Sequence, residues 1–211
     1  MRITKHEHAC LEIEHSGDTL VIDPGGYTTL LVGVTNVIGI VITHEHADHW
    51  SEDQLEHLIK SSPDVRIFGP SGVAAAAVRF PIETVEAGDT IDLDPFTLTF
   101  FGGKHAVIHE SIPLVDNLGV LVNETLYYAG DSYTIPDVAV DTLAVPAGAP
   151  WLKIGDVMDY VTAVAPKRSF PVHEMVLSTI GKSLSNARIK SATEAAGGEF
   201  FALQPGEDID V

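Results

Sequence analysis

The segment Thr43-His44-Glu45-His46-Ala47-Asp48-His49 sets three imidazoles and a carboxylate directly behind the apolar run Val37-Ile38-Gly39-Ile40-Val41-Ile42. A run of that kind reads as a strand, so the polar cluster falls at a strand end. Imidazoles this crowded repel one another once protonated, and a divalent cation resolves the conflict by binding their neutral nitrogens together with the carboxylate oxygen. From extended chain His44 and His46 point the same way, while Asp48 and His49 turn toward a second point. One loop can therefore serve two metal ions. Behind it, Ser51-Glu52-Asp53-Gln54 fits a capping box, with Leu55, Leu58 and Ile59 as one apolar helical face. A solvated turn before a capped helix is the plainer alternative, and the clustering of four ligand-type side chains argues against it.

Around this loop the pattern is short strands, then strands alternating with helices. Ala9-Cys10-Leu11-Glu12-Ile13-Glu14 and Thr19-Leu20-Val21-Ile22-Asp23 flank Ser16-Gly17-Asp18 as a hairpin. Val65-Arg66-Ile67-Phe68-Gly69-Pro70 predicts a strand, and residues 72–79, with four consecutive alanines, a short helix. From Glu83 a second sheet is expected, built from Thr84-Val85-Glu86, Thr90-Ile91-Asp92-Leu93, residues 97–101, 118–122 and 126–129, with a turn at Asn123-Glu124. Further on come a strand over 142–145, an amphipathic helix over 154–164, a strand over 169–173, a helix within 184–196 and a strand over 200–203. No linker, low-complexity tract or short repeat interrupts the 211 residues, which predicts one α+β domain: two mixed sheets face to face with helices outside.

Composition narrows the partners. With 12 Lys plus Arg against 30 Asp plus Glu, the formal charge of −18 argues against nucleic acid, whose affinity comes from basic side chains on phosphates. No window approaches the run of about 18 apolar residues that a membrane span needs, and the start Met1-Arg2-Ile3-Thr4-Lys5 has no signal-like apolar stretch. Cys10 is the only cysteine, so no intrachain disulfide forms and a reducing cytoplasmic location is expected. It lies in an alternating segment and reads as a buried small hydrophobe. The expected partner is a small-molecule substrate; oligomeric state is not legible.

Four further positions set ligand-type residues beside apolar runs: Asp23 in Val21-Ile22-Asp23-Pro24-Gly25-Gly26, His105 in Phe101-Gly102-Gly103-Lys104-His105, Asp131 in Tyr128-Ala129-Gly130-Asp131-Ser132, and His173 in Phe170-Pro171-Val172-His173-Glu174. With the His-rich loop, these five segments resemble the ordered motif series of the metallo-β-lactamase superfamily. The resemblance implies a four-layer αβ/βα sandwich with the site at one edge between the sheets. It implies His44, His46 and His105 around one metal, and Asp48, His49 and His173 around a second. Asp131 would bridge the two, and Asp23 would orient the loop from behind. Asp48 and Asp131 are then the carboxylates of the catalytic centre. Two Zn²⁺ ions suit this set, and Mn²⁺ or Fe²⁺ is also accepted by mixed carboxylate and imidazole ligands. Paired dications roughly 3.5 to 4 Å apart share a hydroxide and polarise the scissile group, so water is the nucleophile.

Other readings fit less well. The chain has no Gly-x-Ser-x-Gly elbow, and neither His44-Glu45 nor His173-Glu174 continues as His-Glu-x-x-His. Redox relatives carry Glu where His46 stands, and exported lactamases commonly carry Cys where Asp131 stands. The continuation His49-Trp50-Ser51 resembles the compact, lactonase-like branch, and no Arg or Lys pocket for a phosphate is evident. The expected activity is metal-dependent hydrolysis of a small ester, lactone or phosphoester; the alternative is a metal-holding structural or interaction protein without turnover. His109 competes with His105, which directly follows the Gly-Gly turn and is preferred. His8 and Tyr133 are candidate donors near the site. Trp151 reads as core packing or a pocket wall, and His6, His15 and His57 as surface residues.

Overall fold

Alternating side chains decide the layering. Leu20 and Ile22 of β3 (Asp18–Ile22) pack toward the centre of the molecule while Val21 packs outward, and the next strand, β4 (Val37–Val41), does the same with Val41 inward and Ile40 outward. Strands with two buried faces need cover on both sides. In the computed structural model, which describes residues 1–211, that cover is a second sheet within and helices without.

The first sheet runs in order through β1 (Arg2–Lys5), β2 (Leu11–His15), β3, β4, β5 (Arg66–Gly69) and β6 (Ile82–Thr84), with β14 (Asp208–Asp210) added outside β1. The second runs through β7 (Thr90–Leu93), β8 (Phe96–Lys104), β9 (Asp116–Val122), β10 (Leu126–Tyr128), β11 (Thr142–Pro146), β12 (Arg168–Val172) and β13 (Glu199–Phe200). Each sheet is mixed: antiparallel through β3 and parallel onward to β6 in the first, antiparallel through β10 and parallel onward in the second. Helices α1 (Glu52–Ser61) and α2 (Ser71–Ala76) cover the first sheet through Leu55, Leu58 and Val73. Helices α3 (Ile154–Val164) and α4 (Thr179–Ala195) cover the second through Val157, Val161 and Ile189. This is the expected αβ/βα sandwich of the α+β class. No helix is long and apolar enough to cross a membrane.

Several local expectations need correction. Thr84-Val85-Glu86 does not open the second sheet: β6 pairs in parallel with β5, Ile67 opposite Ile82, because α2 carries the chain back as a βαβ crossover. The capping box is only half formed. Ser51 caps α1 by accepting from the Gln54 amide, but the Gln54 side chain turns away to Thr28, Thr29 and Leu31, fastening the preceding loop. Helix α4 starts earlier than expected, capped by Ser178 on Gly181 N. Strands β1 and β14 add to the expected set, whereas Cys10 is fully buried in the outer core of the first sheet, as its alternating segment predicts. The seam between the sheets is closed by main chain as well as side chains, since Leu118 N donates to Thr43 O at 2.9 Å.

Candidate metal centre

All the candidate ligands leave strand ends on one edge. His44, His46, Asp48 and His49 lie between β4 and α1, His105 just past β8, Asp131 past β10 and His173 past β12. Two glycines make this closure possible. A β-carbon at Gly25 would lie 1.8 Å from the Asp48 carbonyl oxygen, so only glycine lets the chain after Asp23 close on the His-rich loop. Gly130 has φ +62, and a β-carbon there would meet Asn117 Oδ1 at 2.4 Å. Asn117, which sequence reasoning missed, accepts from Asp131 N and donates to Ala129 O, both at 2.9 Å, fixing the backbone beneath Asp131.

Hydrogen bonds behind the cluster determine which imidazole nitrogens face inward. Asp23 is fully buried and accepts from Thr43 N (2.7 Å), Thr43 Oγ1 (2.7 Å) and His49 Nδ1 (2.7 Å). Because the Thr43 hydroxyl proton goes to Asp23, His44 Nδ1, 3.0 Å from Thr43 Oγ1, must donate to that oxygen. His173 Nδ1 donates to Gly148 O at 2.7 Å and His105 Nδ1 to Ala106 O. Four Nδ1–H groups are thus engaged outward, leaving four Nε2 lone pairs directed at one another and at Asp131.

His44 Nε2 lies 3.1 Å from His46 Nδ1, His49 Nε2 3.2 Å from Asp131 Oδ1, and His105 and His173 Nε2 3.3 and 3.1 Å from Asp131 Oδ2. Buried acceptors cannot satisfy one another; positive charge must sit between them. His49 Nε2, His105 Nε2, His173 Nε2 and Asp131 Oδ1 are indeed buried without a hydrogen-bond partner. Three overlapping groups, His44 with His46 and His105, His8 with Asp48, His49 and His173, and His44 with His49 and Asp131, each gather their ligand atoms within 4.8 Å. The donor set therefore fits metal ions, and imidazoles whose second nitrogen is held by an outer partner are the arrangement that metal sites use.

A sequence profile of the Beta-lactamase superfamily domain matches residues 2–173. The chain belongs to the metallo-β-lactamase superfamily. It is 34% identical over 198 residues to Protein Rv0786c of Mycobacterium tuberculosis, spanning 92% of this chain and 93% of that one. It is 27% identical to a UPF0173 metal-dependent hydrolase of Lysinibacillus sphaericus, over 82% of this chain and 85% of the relative. The fold is also that of Igni18, a metallo hydrolase from the archaeon Ignicoccus hospitalis, with a TM-score of 0.75 and 18% identity over 99% of this chain and 97% of that one.

Within this superfamily fold, the remaining sequence candidates separate clearly. His105, not His109, joins His44 and His46; His109 is exposed and bonds Ser111. His8 is buried beside the cluster. Met175 N donates to its Nδ1 at 3.3 Å, so its Nε2 carries the proton and donates to Asp48 Oδ2 at 3.1 Å. It anchors Asp48. Tyr133 is set back, its ring 5.3 Å from Trp151 and 5.7 Å from Tyr160. Trp151 is the ring at the site: its indole N–H donates to Asp131 Oδ2 at 2.8 Å. His6, His15 and His57 are half-buried and outside the cluster.

The field of the carboxylates is strong. Burial pushes the Asp48 carboxyl up, but hydrogen bonds from His173 and His8 outweigh it and hold the group far below the usual carboxylate range. Burial likewise opposes charge on Asp131, and His49 and His173 overcome it. In turn burial lowers His173 while the Asp131 charge raises it further, to about 9. His49 is raised against its burial by Asp131 and Asp23, whereas His44 is lowered by burial and by His49. His46 and Asp48 keep part of their surface open, and they mark the mouth of the site.

Proposed function

We propose that this protein is a metal-dependent hydrolase that binds two ions per chain, zinc suiting the imidazole-rich set best, and cleaves a small ester, lactone or phosphoester. The observation that carries the reading is the convergence of four outward-anchored imidazoles on Asp131, a buried set of nitrogens and carboxylate oxygens that bound cations would satisfy together. The Lysinibacillus sphaericus relative is named a metal-dependent hydrolase and Igni18 a metallo hydrolase, which supports the same chemistry.

His44, His46 and His105 would hold one ion, Asp48, His49 and His173 the other, with Asp131 between them. Such a pair, when bound, lowers the pKa of water and stabilises charge developing on the substrate oxygen. The protein's own contribution is orientation. Asp23 and Thr43 fix the loop, Gly148 O turns His173, and His8 holds Asp48 through a donated proton, so the carboxylate cannot swing toward solvent.

An ester or lactone is favoured over a phosphoester. Lys5 is buried against Glu174 at 2.5 Å, Lys104 is paired with Asp116 at 2.6 Å and Lys153 with Asp156 at 3.2 Å, which leaves Lys182, beside the Met175 sulfur, as the one of these four lysines without a carboxylate partner and not a cluster of basic groups. Phosphate recognition ordinarily uses free basic groups. The loops leaving the ligand-bearing edge instead expose Tyr27, Val107, Met175 and Val176, an apolar surround suited to a neutral acyl compound.

Metal analysis together with a panel of lactones, aryl esters and phosphodiesters tests the proposal. About two ions per chain are expected, with ions and lactone or ester turnover lost together on chelation. A fully loaded protein inert across the panel, in which His46→Ala alters metal content and nothing else, would instead identify a metal-holding interaction protein.

A further inference from the structure

The loop between β11 and α3 supplies no ligand, yet it touches two of them. Ala147 N bonds Val172 O at 2.9 Å, which lays the loop along the end of β12 just before His173. Gly148 O then takes the His173 Nδ1 proton at 2.7 Å, and three residues later the Trp151 indole N–H reaches Asp131 Oδ2 at 2.8 Å. The turn between these contacts is held by Leu152 N on Ala149 O and is packed so closely on Leu177 that a β-carbon at Gly148 would lie 2.5 Å from its Cγ. The indole stands edge-on to His105 (5.8 Å) and His173 (6.4 Å), walling the same side.

The geometry points to a specific role: Trp151 is a positioning residue that, with Gly148, orients Asp131 and His173 and so governs how tightly the ions that Asp131 would join are held. A carboxylate oxygen has two in-plane lone pairs, and the indole proton occupies one of those on Asp131 Oδ2. The other is left for the cluster, toward His105 and His173 Nε2, and Oδ1 stays wholly free toward His49. The rotation of Asp131 is thereby fixed by a single neutral donor. His44 and His46 receive nothing from this loop; its effect enters through His173 on one side and, because Asp131 stands between the two ions with Oδ2 also facing His105, through Asp131 on both. The inference rests on the two-ion reading of the site and is independent of whether the substrate is an ester.

Zinc titration against a chelator of known affinity, on wild type and on Trp151→Phe, decides it. Phenylalanine keeps the ring wall and removes the donor. Loss of such an outer partner typically costs 10- to 100-fold in metal affinity, so W151F is expected to hold zinc about 10- to 100-fold more weakly than wild type. Equal affinities for both ions in wild type and W151F would overturn the inference alone. Uptake of a single ion by wild type would overturn the two-ion reading beneath it. Should W151F fail to fold, Trp50→Phe leaves Trp151 as the only tryptophan. Its emission is expected to change as zinc is added, and a flat trace there would sink the proposal.

Discussion

Asp23 offers no atom to the cluster, yet Thr43 N, Thr43 Oγ1 and His49 Nδ1 all donate to it, and His44 is oriented through Thr43. An amide in its place must turn an N–H toward at least one donor. Asp23→Asn is therefore expected to cost about 2 kcal/mol or more, from one lost charge-assisted bond and one buried clash of donors, read as the urea midpoint of chelator-treated protein. His173 sets a pH dependence. With a folded pKa of about 9 against an ordinary 6.5, its protonation stabilises the chelated protein fully below about pH 6.5, and that contribution disappears as pH rises through about 9. The urea midpoint of the chelated protein is expected to fall across that window. Zinc must displace the same proton, so zinc affinity should climb over the same range; a competition titration flat from pH 6.5 to 9 would contradict this. The candidate ligands were legible in the sequence because each is a ligand-type residue after an apolar run. Thr43, Asn117 and the indole of Trp151 were not, because they act by holding another residue, and no spacing along the chain announces such a bond.

Among the elements, the turn over Gly25 and Gly26 matters most. It lies against the His-rich loop, with Gly26 N on Ala47 O at 2.8 Å and no room for a β-carbon at Gly25. Gly25→Ala is expected to displace the loop and to reduce bound metal well below wild-type stoichiometry, as measured by elemental analysis. Ser51→Ala, which removes only the α1 cap, should cost about 1 kcal/mol and leave metal content unchanged. The hairpin at Ser16-Gly17 and helix α3 were readable from local pattern alone: Ser16 and Gly17 both take positive φ, as a two-residue hairpin turn requires, and α3 spans the expected 154–164. Pairing is a different matter. An apolar alternation such as that around Thr84 marks a strand without naming its neighbour, so the sequence points to the second sheet while β6 pairs with β5 in the first. Arg2-Ile3-Thr4-Lys5 has one apolar side chain to show and depends on β2 and β14 for its identity as a strand. The Thr179-Ile180-Gly181 start of α4 has weak helical propensity and is set by its cap.

Across the whole molecule, the ligands come from both halves. His44, His46, Asp48 and His49 belong to the first sheet, and His105, Asp131 and His173 to the second. Bound metal would join the two sheets at the edge where Leu118 already meets Thr43. Binding that is confined to the folded state adds about 2.7 kcal/mol at a free concentration 100 times Kd, so the melting temperature is expected to rise with added zinc and to drop on chelation. An unchanged melting temperature would mean that the sheets are not joined in this way.

His8, Asp23 and His173 have φ of 61°, 49° and 58°, torsions in which a β-carbon is poorly tolerated. Holding such a residue costs on the order of 1 kcal/mol or more. Glycine at position 173 should accordingly leave a sturdier scaffold than alanine at the same place, although both abolish the imidazole. Thermal endurance and reactivity thus pull these three positions in opposite directions. Engineering that rewards only ruggedness would tend to erode the working edge first, one side chain at a time, and leave the sandwich standing.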